Sequence, residues 1–356
     1  MGPLHDEVRF IIGGLATKNL YQMILRWNIS CPVDIVIGEG DFVVSAIVQG
    51  KPLDIICQDG NKRVITVSAT SPYFPHDISN IPLDRSFFVN QPLRHALGFN
   101  EVSIVTSRGC MYNCAFCSAA RSLNKETPIR ERNAQSVANE VKMLCELYPD
   151  MHSVRVLDDL FLRNTGSVER AVCMFEYVPV TWRAMAHVLS FYKLSDPQLL
   201  KLKRLGCMEV FIGIESGSPR ILKMIHKTSD VDLIKRTIER LFRVGINVKG
   251  YFIFGFETEK IEDMQMTYDL ARQLKESSVK NHTNFRTSVF QFRPYHGTEL
   301  YHDMISKGRI IDEIVYNGDL STNIGRKQFN FTSGNFSETS DEDLRKFITE
   351  TNGINQ

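Results

Sequence analysis

The sequence predicts an α/β chain, a partial barrel of six strand–helix units preceded by a smaller α/β domain. Three observations carry that reading. Residues 100–300 alternate short β-branched or aromatic runs with helix-length amphipathic stretches, the pattern of parallel strands joined by crossover helices. Ahead of them, residues 8–41 read as strand, glycine turn, helix and strand, which is doubly wound material. A length of 356 residues suits one barrel-sized domain and one smaller partner, and a 43% hydrophobic fraction supplies cores for both.

In chain order, Val8 to Ile12 reads as a strand ending in Gly13-Gly14, a helix lies near Leu20 to Trp27, and Val33 to Ile37 is a second strand closed by Gly38-Glu-Gly-Asp41. From Ile81 to about Phe99 the pattern loses its period and carries Pro82 and Pro92, so this stretch is read as a linker across the barrel mouth. The barrel strands are placed at Val102–Thr106, Val154–Leu157, Val180–Ala186, Val210–Ile214, Val248–Phe254 and Thr287–Phe292. Between them, Gln135–Tyr148, Pro197–Arg204 and Val231–Val244 have helical spacing. Repeated units of this kind close as a TIM-type partial (β/α)6 barrel, in which reacting groups sit at the C-terminal strand ends. Ser340-Asp-Glu-Asp343 is a capping-box start to a last amphipathic helix carrying Leu344, Phe347 and Ile348. The expected division is 1–80 for the α/β domain, 81–99 for the linker, 100–300 for the barrel and 301–356 for a C-terminal extension.

Lys+Arg of 42 against Asp+Glu of 41 leaves a net charge of +1, without the basic surplus that a nucleic-acid partner requires. No run of 18 apolar residues is present and Met1-Gly-Pro-Leu-His-Asp-Glu7 is not a leader, so the expectation is a cytoplasmic chain with no membrane span. Of eight cysteines, Cys31, Cys57, Cys145, Cys173 and Cys207 are scattered without a disulfide framework.

The remaining three form Cys110-Met-Tyr-Asn-Cys114-Ala-Phe-Cys117. Iron–sulfur cubanes take four thiolates; this segment supplies three, which leaves one iron open for chemistry. A structural zinc site wants four closed ligands, and no second cysteine pair or paired histidine accompanies His152. A zinc or cluster scaffold without catalysis stays as an alternative. Read from Ser107-Arg-Gly109 onward, the segment resembles the cluster loop of radical S-adenosylmethionine (radical SAM) enzymes. The resemblance implies a [4Fe-4S] cluster on Cys110, Cys114 and Cys117, SAM on the open iron, and Phe116 near the adenine.

Further segments resemble the same family in the same order. Asp158 and Asp159 end the second strand, where the resemblance implies a contact to the SAM methionyl group; a helix cap is the alternative. Arg183 lies on the third strand, where its fork suits the SAM carboxylate, while His187 just beyond is read as structural. Glu215 and Ser216, in Gly213-Ile-Glu-Ser-Gly-Ser218, are implied ribose contacts. Gly255 belongs to a segment similar to the adenine cradle, with the turn Gly255-Phe-Glu-Thr shortened. Arg293, Tyr295 and His296 follow the sixth strand and are the candidate substrate contacts. The first domain resembles the second half of a cobalamin-binding, Rossmann-like domain, here truncated, without the Asp-x-His-x-x-Gly segment that supplies cobalamin's replacement base.

What the resemblance implies is reductive cleavage of SAM to a 5′-deoxyadenosyl radical that takes hydrogen from a small polar, sugar-like or secondary-metabolite substrate. A flavodoxin or ferredoxin-type protein would deliver the electron. No cysteine follows Cys207, which removes auxiliary clusters and leaves a lyase-like outcome: dehydration or deoxygenation, epimerisation or decarboxylation without cobalamin. The alternative is a cobalamin-dependent radical SAM C-methyltransferase. Cys207, before the fourth strand, is read as a packing thiol rather than a hydrogen-atom donor.

Overall fold

The computed structural model describes residues 8–81, 84–85, 92–95, 98–310 and 334–355. Parts of the expected linker (82–83, 86–91 and 96–97) and of the C-terminal extension (311–333) lie outside the described residues. Two compact units are present, one made of residues 1–81, 109–130 and 294–304, the other of 82–108, 131–293 and 305–356. The cysteine loop and the segment after the sixth barrel strand thus group with the first unit and interrupt the linear division.

The first unit is built on a four-stranded sheet in the order β1-β2-β4-β3. Strands β1 (Phe10–Ile12), β2 (Val33–Gly38) and β4 (Lys62–Val67) run parallel, and β3 (Ile55–Asp59) returns antiparallel on β4. Helices α1 (Thr17–Leu25) and α2 (Val43–Val48) cover the two faces. Side chains alternate across a strand, and β2 shows why both faces close. Val33 and Ile35 pack with Ile24 and Val64, whereas Val36 packs with Val43, Ile47, Ile65 and Val67. Asp34, 1% exposed between them, is held by Arg9 at 2.7 Å and by both Arg63 nitrogens at 2.7 and 3.0 Å.

The second unit is a curled sheet in the order β13-β12-β11-β10-β9-β6-β5. Strands β6 (Asn100–Ile104), β9 (Ser153–Val156), β10 (Thr181–Ala186), β11 (Cys207–Glu215), β12 (Asn247–Phe254) and β13 (Phe285–Gln291) are all parallel. The short β5 (Leu93–Arg94) adds antiparallel at the β6 edge, and two-residue strands β7 (Ser107–Arg108) and β8 (Arg130–Glu131) flank the cysteine-bearing segment. The six parallel strands are those expected, each within a few residues.

Crossovers are made by α3 (Ala134–Leu147), α4 (Thr165–Phe175), α5 (Asp196–Arg204), α6 (Pro219–Met224), α7 (Val231–Arg243) and α8 (Ile261–Lys280). The helix starts are written locally. Asn133, Asn164, Ser218 and Asp230 each cap the N-terminus of the following helix with their side chains. Trp182, Ala184, Val210, Ile212, Phe252 and Phe254 are each at most 1% exposed beneath these helices. The alternate residues of the same strands face the concave side, and many of those are charged. Beyond α9 (Glu299–Ser306), the expected last helix is present as α10 (Asp341–Gly353), capped by Ser340 at 3.0 Å from the Asp343 amide, with Phe347 stacked on Phe254 at 6.3 Å.

Candidate active site

The cysteine loop lies in the first unit and is held by its own side chains. The Cys117 amide donates to the Cys114 carbonyl at 3.1 Å, which turns two of the thiols onto one bend. The Arg121 guanidinium donates to the carbonyls of Asn124, Thr127 (2.8 Å) and Lys125 (3.2 Å), and Asn124 Nδ2 donates to those of Ser118 and Ala120, both at 2.9 Å. Asn113 accepts from the Ser122 amide at 2.7 Å, and the Leu300 amide donates to the carbonyl of buried Ala115 at 3.1 Å. The Cys110, Cys114 and Cys117 side chains are half-buried, and Phe116 between them is half-buried too. Among the described residues no three His, Cys, Asp or Glu side chains gather as around a single ion. Three thiols on a pre-formed loop are a donor set that fits an iron–sulfur cluster with one open iron. Arg121 and Asn124 escape a motif reading because they act on carbonyls, for which no residue pattern exists.

In the second unit, the stem leading into that loop is fastened by Asp158. Its carboxylate, 3% exposed, accepts from the Thr106 amide at 2.6 Å, the Thr106 hydroxyl at 2.7 Å and the Ser107 hydroxyl at 2.6 Å. Arg163 donates to the Ser107 hydroxyl at 2.7 Å. Asp158 thus ties the segment after β6 through one amide and two hydroxyls, and Asp159 beside it is exposed.

Glu215 ends β11 at a register shift, with a left-handed φ of 67°. A non-glycine residue there is strained, and such strain concentrates at working sites. Its carboxyl is 7% exposed, 3.2 Å from Lys227 Nζ, and burial raises its pKa against the pull of that lysine. Lys227 also donates to the Gly213 carbonyl at 3.0 Å, and a Cβ on Gly213 would strike Glu215 Oε1, so only glycine leaves the carboxyl its room. Ser216 is fully buried: its hydroxyl bonds Thr267 Oγ1 at 3.0 Å and accepts from the Ser218 amide at 3.1 Å. His187 is structural as expected. Its Nδ1 accepts from the Leu189 amide at 3.2 Å, and burial, then Lys227, depress its pKa to about 3.

Gly255, at φ 91°, opens the shortened turn after β12. The turn is closed by Glu259, fully buried, whose Oε2 accepts from the amides of Gly255 at 2.6 Å and Phe256 at 3.1 Å while Oε1 has no partner. Burial outweighs those bonds and pushes its pKa to about 8. The folded chain therefore keeps a proton that the unfolded chain releases near the ordinary value of 4.5. Stability should fall by a few kcal/mol as pH rises from about 4.5 to about 8. Glu259→Gln should flatten that slope in urea midpoints measured across the window.

The three candidate substrate contacts are divided. Arg293 belongs to the second unit, and Tyr295 and His296 to the first. Tyr295 is exposed, while the His296 ring lies 4.3 Å from that of Tyr301 and its carbonyl accepts from Asn19 Nδ2 at 3.3 Å.

Residues 104–271 match the family described as the Radical SAM superfamily. These residues belong to the radical SAM superfamily. It is 26% identical over 320 residues to an uncharacterized methyltransferase of Pyrococcus horikoshii, covering 86% of this chain and 65% of that one. It is 27% identical over 226 residues to the cytidylyl-2-hydroxyethylphosphonate methyltransferase of Streptomyces wedmorensis, covering 62% and 40%. The chain thus spans about half the length of these relatives. Among solved structures, the cobalamin-dependent SAM radical enzyme OxsB in its apo form superposes with a TM-score of 0.62 at 14% identity, over 96% of this chain and 57% of that one. The likeness establishes the fold from the first domain through the barrel.

These relatives overturn the expectation of a cobalamin-free dehydration, deoxygenation, epimerisation or decarboxylation, because their named chemistry is methyl transfer. Arg183 is bonded to carboxylates of its own face. Arg183, 2% exposed, donates to Glu101 through Nε (2.7 Å) and one terminal nitrogen (2.6 Å), and to Glu209 through the other (2.9 Å); Arg286 shares Glu209 at 2.7 Å. Its fork is bonded to two protein carboxylates on the concave face. Cys207, fully buried with its thiol pKa raised by burial, is a packing thiol. Among the described residues no helix is long and apolar enough to cross a membrane.

In the first unit, the loops Gly13-Gly14 and Gly38-Glu-Gly-Asp41 both leave the carboxyl ends of parallel strands, where open α/β sheets bind ligands. Gly38, at φ 110°, lies so close to the Val67 carbonyl that a Cβ would collide with it. Two low, side-chain-poor loops side by side fit a flat cofactor.

Proposed function

We propose that this chain is a radical SAM methyltransferase that uses cobalamin, acting on a small-molecule substrate in the cytoplasm with a flavodoxin or ferredoxin-type electron donor. The observation that supports it best is the pairing, in one chain, of a glycine-looped parallel sheet with a three-thiol barrel, over 96% of which the fold is that of a cobalamin-dependent enzyme. When bound, a [4Fe-4S] cluster supplies low-potential electrons for SAM cleavage and cobalamin supplies a methyl carrier. Cys110, Cys114 and Cys117 would hold three irons, and the carbonyl clamp of Arg121 and Asn124 keeps their loop in shape. Glu215, fixed by Lys227 and Gly213 at the end of β11, is the carboxyl we assign to the SAM ribose. The loops at Gly13 and Gly38 would take the flat face of the corrin.

The test is anaerobic reconstitution with iron, sulfide and hydroxocobalamin, followed by reductant and SAM. Bound cobalt together with S-adenosylhomocysteine supports the reading. Deoxyadenosine with neither cobalt nor S-adenosylhomocysteine sinks it in favour of another radical reaction, and intact SAM with bound zinc sinks every enzymatic reading.

A further inference from the structure

The concave face of the barrel carries more positive charge than it can use internally. Arg183 and Arg286 are satisfied by Glu101 and Glu209. Two further cations on the same face have no such arrangement. Arg155, register partner of Arg183 on β9, places its guanidinium 5.6 Å from the Phe211 ring centre, and its Nε is buried without a hydrogen-bond partner. Lys249, register partner of both Phe211 and Arg286, lies 5.3 Å over the Tyr251 ring. Among the described residues neither Arg155 nor Lys249 forms an ion pair, and the charged groups acting on Lys249 are Arg286, Glu209, Arg155 and Arg183. Four cations therefore share two carboxylates. Burial, then the neighbouring arginines, hold the Lys249 pKa below its ordinary value against the pull of Glu209.

Level with Lys249 and above it the wall turns aromatic. Phe211 meets Tyr251 edge-on at 6.4 Å, and Tyr251 stacks on Phe290 at 5.9 Å. Lys249 lies five residues below Phe254, the end of β12, and at about 3.3 Å per residue that is roughly 16 Å below the reacting end of the barrel.

We infer that the barrel's concave face binds an anionic group of the substrate, a carboxylate or phosphoryl oxyanion, between Arg155 and Lys249, with the apolar or aromatic body of that substrate along Phe211, Tyr251 and Phe290. This rests on the methyl-transfer reading in placing the reacting carbon at the strand ends, so the acid and the methylated position are far apart on the same molecule. An arginine fork and a lysine point charge suit either oxyanion. Unpaired cations in an interior cost stability, and a chain tolerates that cost where a ligand anion completes the site.

The full chain, without cluster or SAM, should bind indole-3-propionate or phenylphosphonate in calorimetry, and not the neutral indole-3-propionamide. The tighter of the two acids tells carboxylate from phosphoryl. Lys249→Met and Arg155→Met should each weaken that acid at least about tenfold, while the ligand-free Lys249→Met melts no lower than wild type. Amide binding equal to acid binding, wild-type affinity in both variants, no acid binding by wild type, or a Lys249→Met chain that melts well below wild type each overturns the inference. Because neither iron nor SAM takes part, failure of the methyl-transfer reading is seen separately, in the S-adenosylhomocysteine assay.

Discussion

Cys114→Ala should lose SAM cleavage to below detection while the chain stays folded. The loop carrying the three thiols is tied by Arg121 and Asn124 to five of its own carbonyls, so its shape does not depend on metal. With two thiolates left, a cubane lacks a ligand and the open iron loses its defined position. We expect bound iron to fall and deoxyadenosine to vanish, with a stability change under about 1 kcal/mol, or a few degrees in Tm for a unit of this size. A cluster or zinc that only braced the loop would give the reverse pattern: a large drop in Tm, because structural metal binding is folding free energy. Iron content, deoxyadenosine yield and melting temperature on one preparation separate the two.

Arg183→Met should destabilise the second unit by about 3–5 kcal/mol, the cost of stranding buried carboxylates without their partner. Glu101 takes two of its bonds from Arg183, whereas Glu209 keeps Arg286 at 2.7 Å, so the larger share of the loss falls on Glu101. Arg183→Met combined with Glu101→Gln should recover much of the stability, since the uncompensated charge is then gone. Urea midpoints with an unchanged m-value are the measurement. An Arg183→Met chain as stable as wild type would mean that the pair is not held as described.

The barrel was legible because each strand is a short β-branched or aromatic run between amphipathic helices, and both periods survive in Val154–Leu157 or Val248–Phe254. The hairpin Ile55–Asp59 with Lys62–Val67 was not read, because it opens on Lys62 and Arg63, charges that look like surface. In the fold Lys62 donates to the Leu25 carbonyl at 2.8 Å and Arg63 neutralises Asp34. The cysteine loop was legible from spacing alone, since three thiols within eight residues are written locally. Asp158, Arg183 and Ser216 were placed on the right strand ends or faces, but their partners are Thr106, Glu101 and Thr267, residues 51 to 82 positions away. Lys227, which fixes Glu215, lies beyond α6 with no motif to announce it. Pairings of that kind appear only once the sheet order is known.

The clamp on Asp158 bears on how the protein comes to be made. Thr106 and Ser107 precede it by 52 and 51 residues, so the stem of the cysteine loop has no acceptor until β9 has been synthesised and laid beside β6. At roughly 5–20 residues per second, Cys117 leaves the ribosome about 2–8 s before Asp158 does. During that interval the thiols sit on a stem without its anchor. On the proposed reading, cluster loading is expected to follow translation of the second barrel strand, once the first parallel pair has closed.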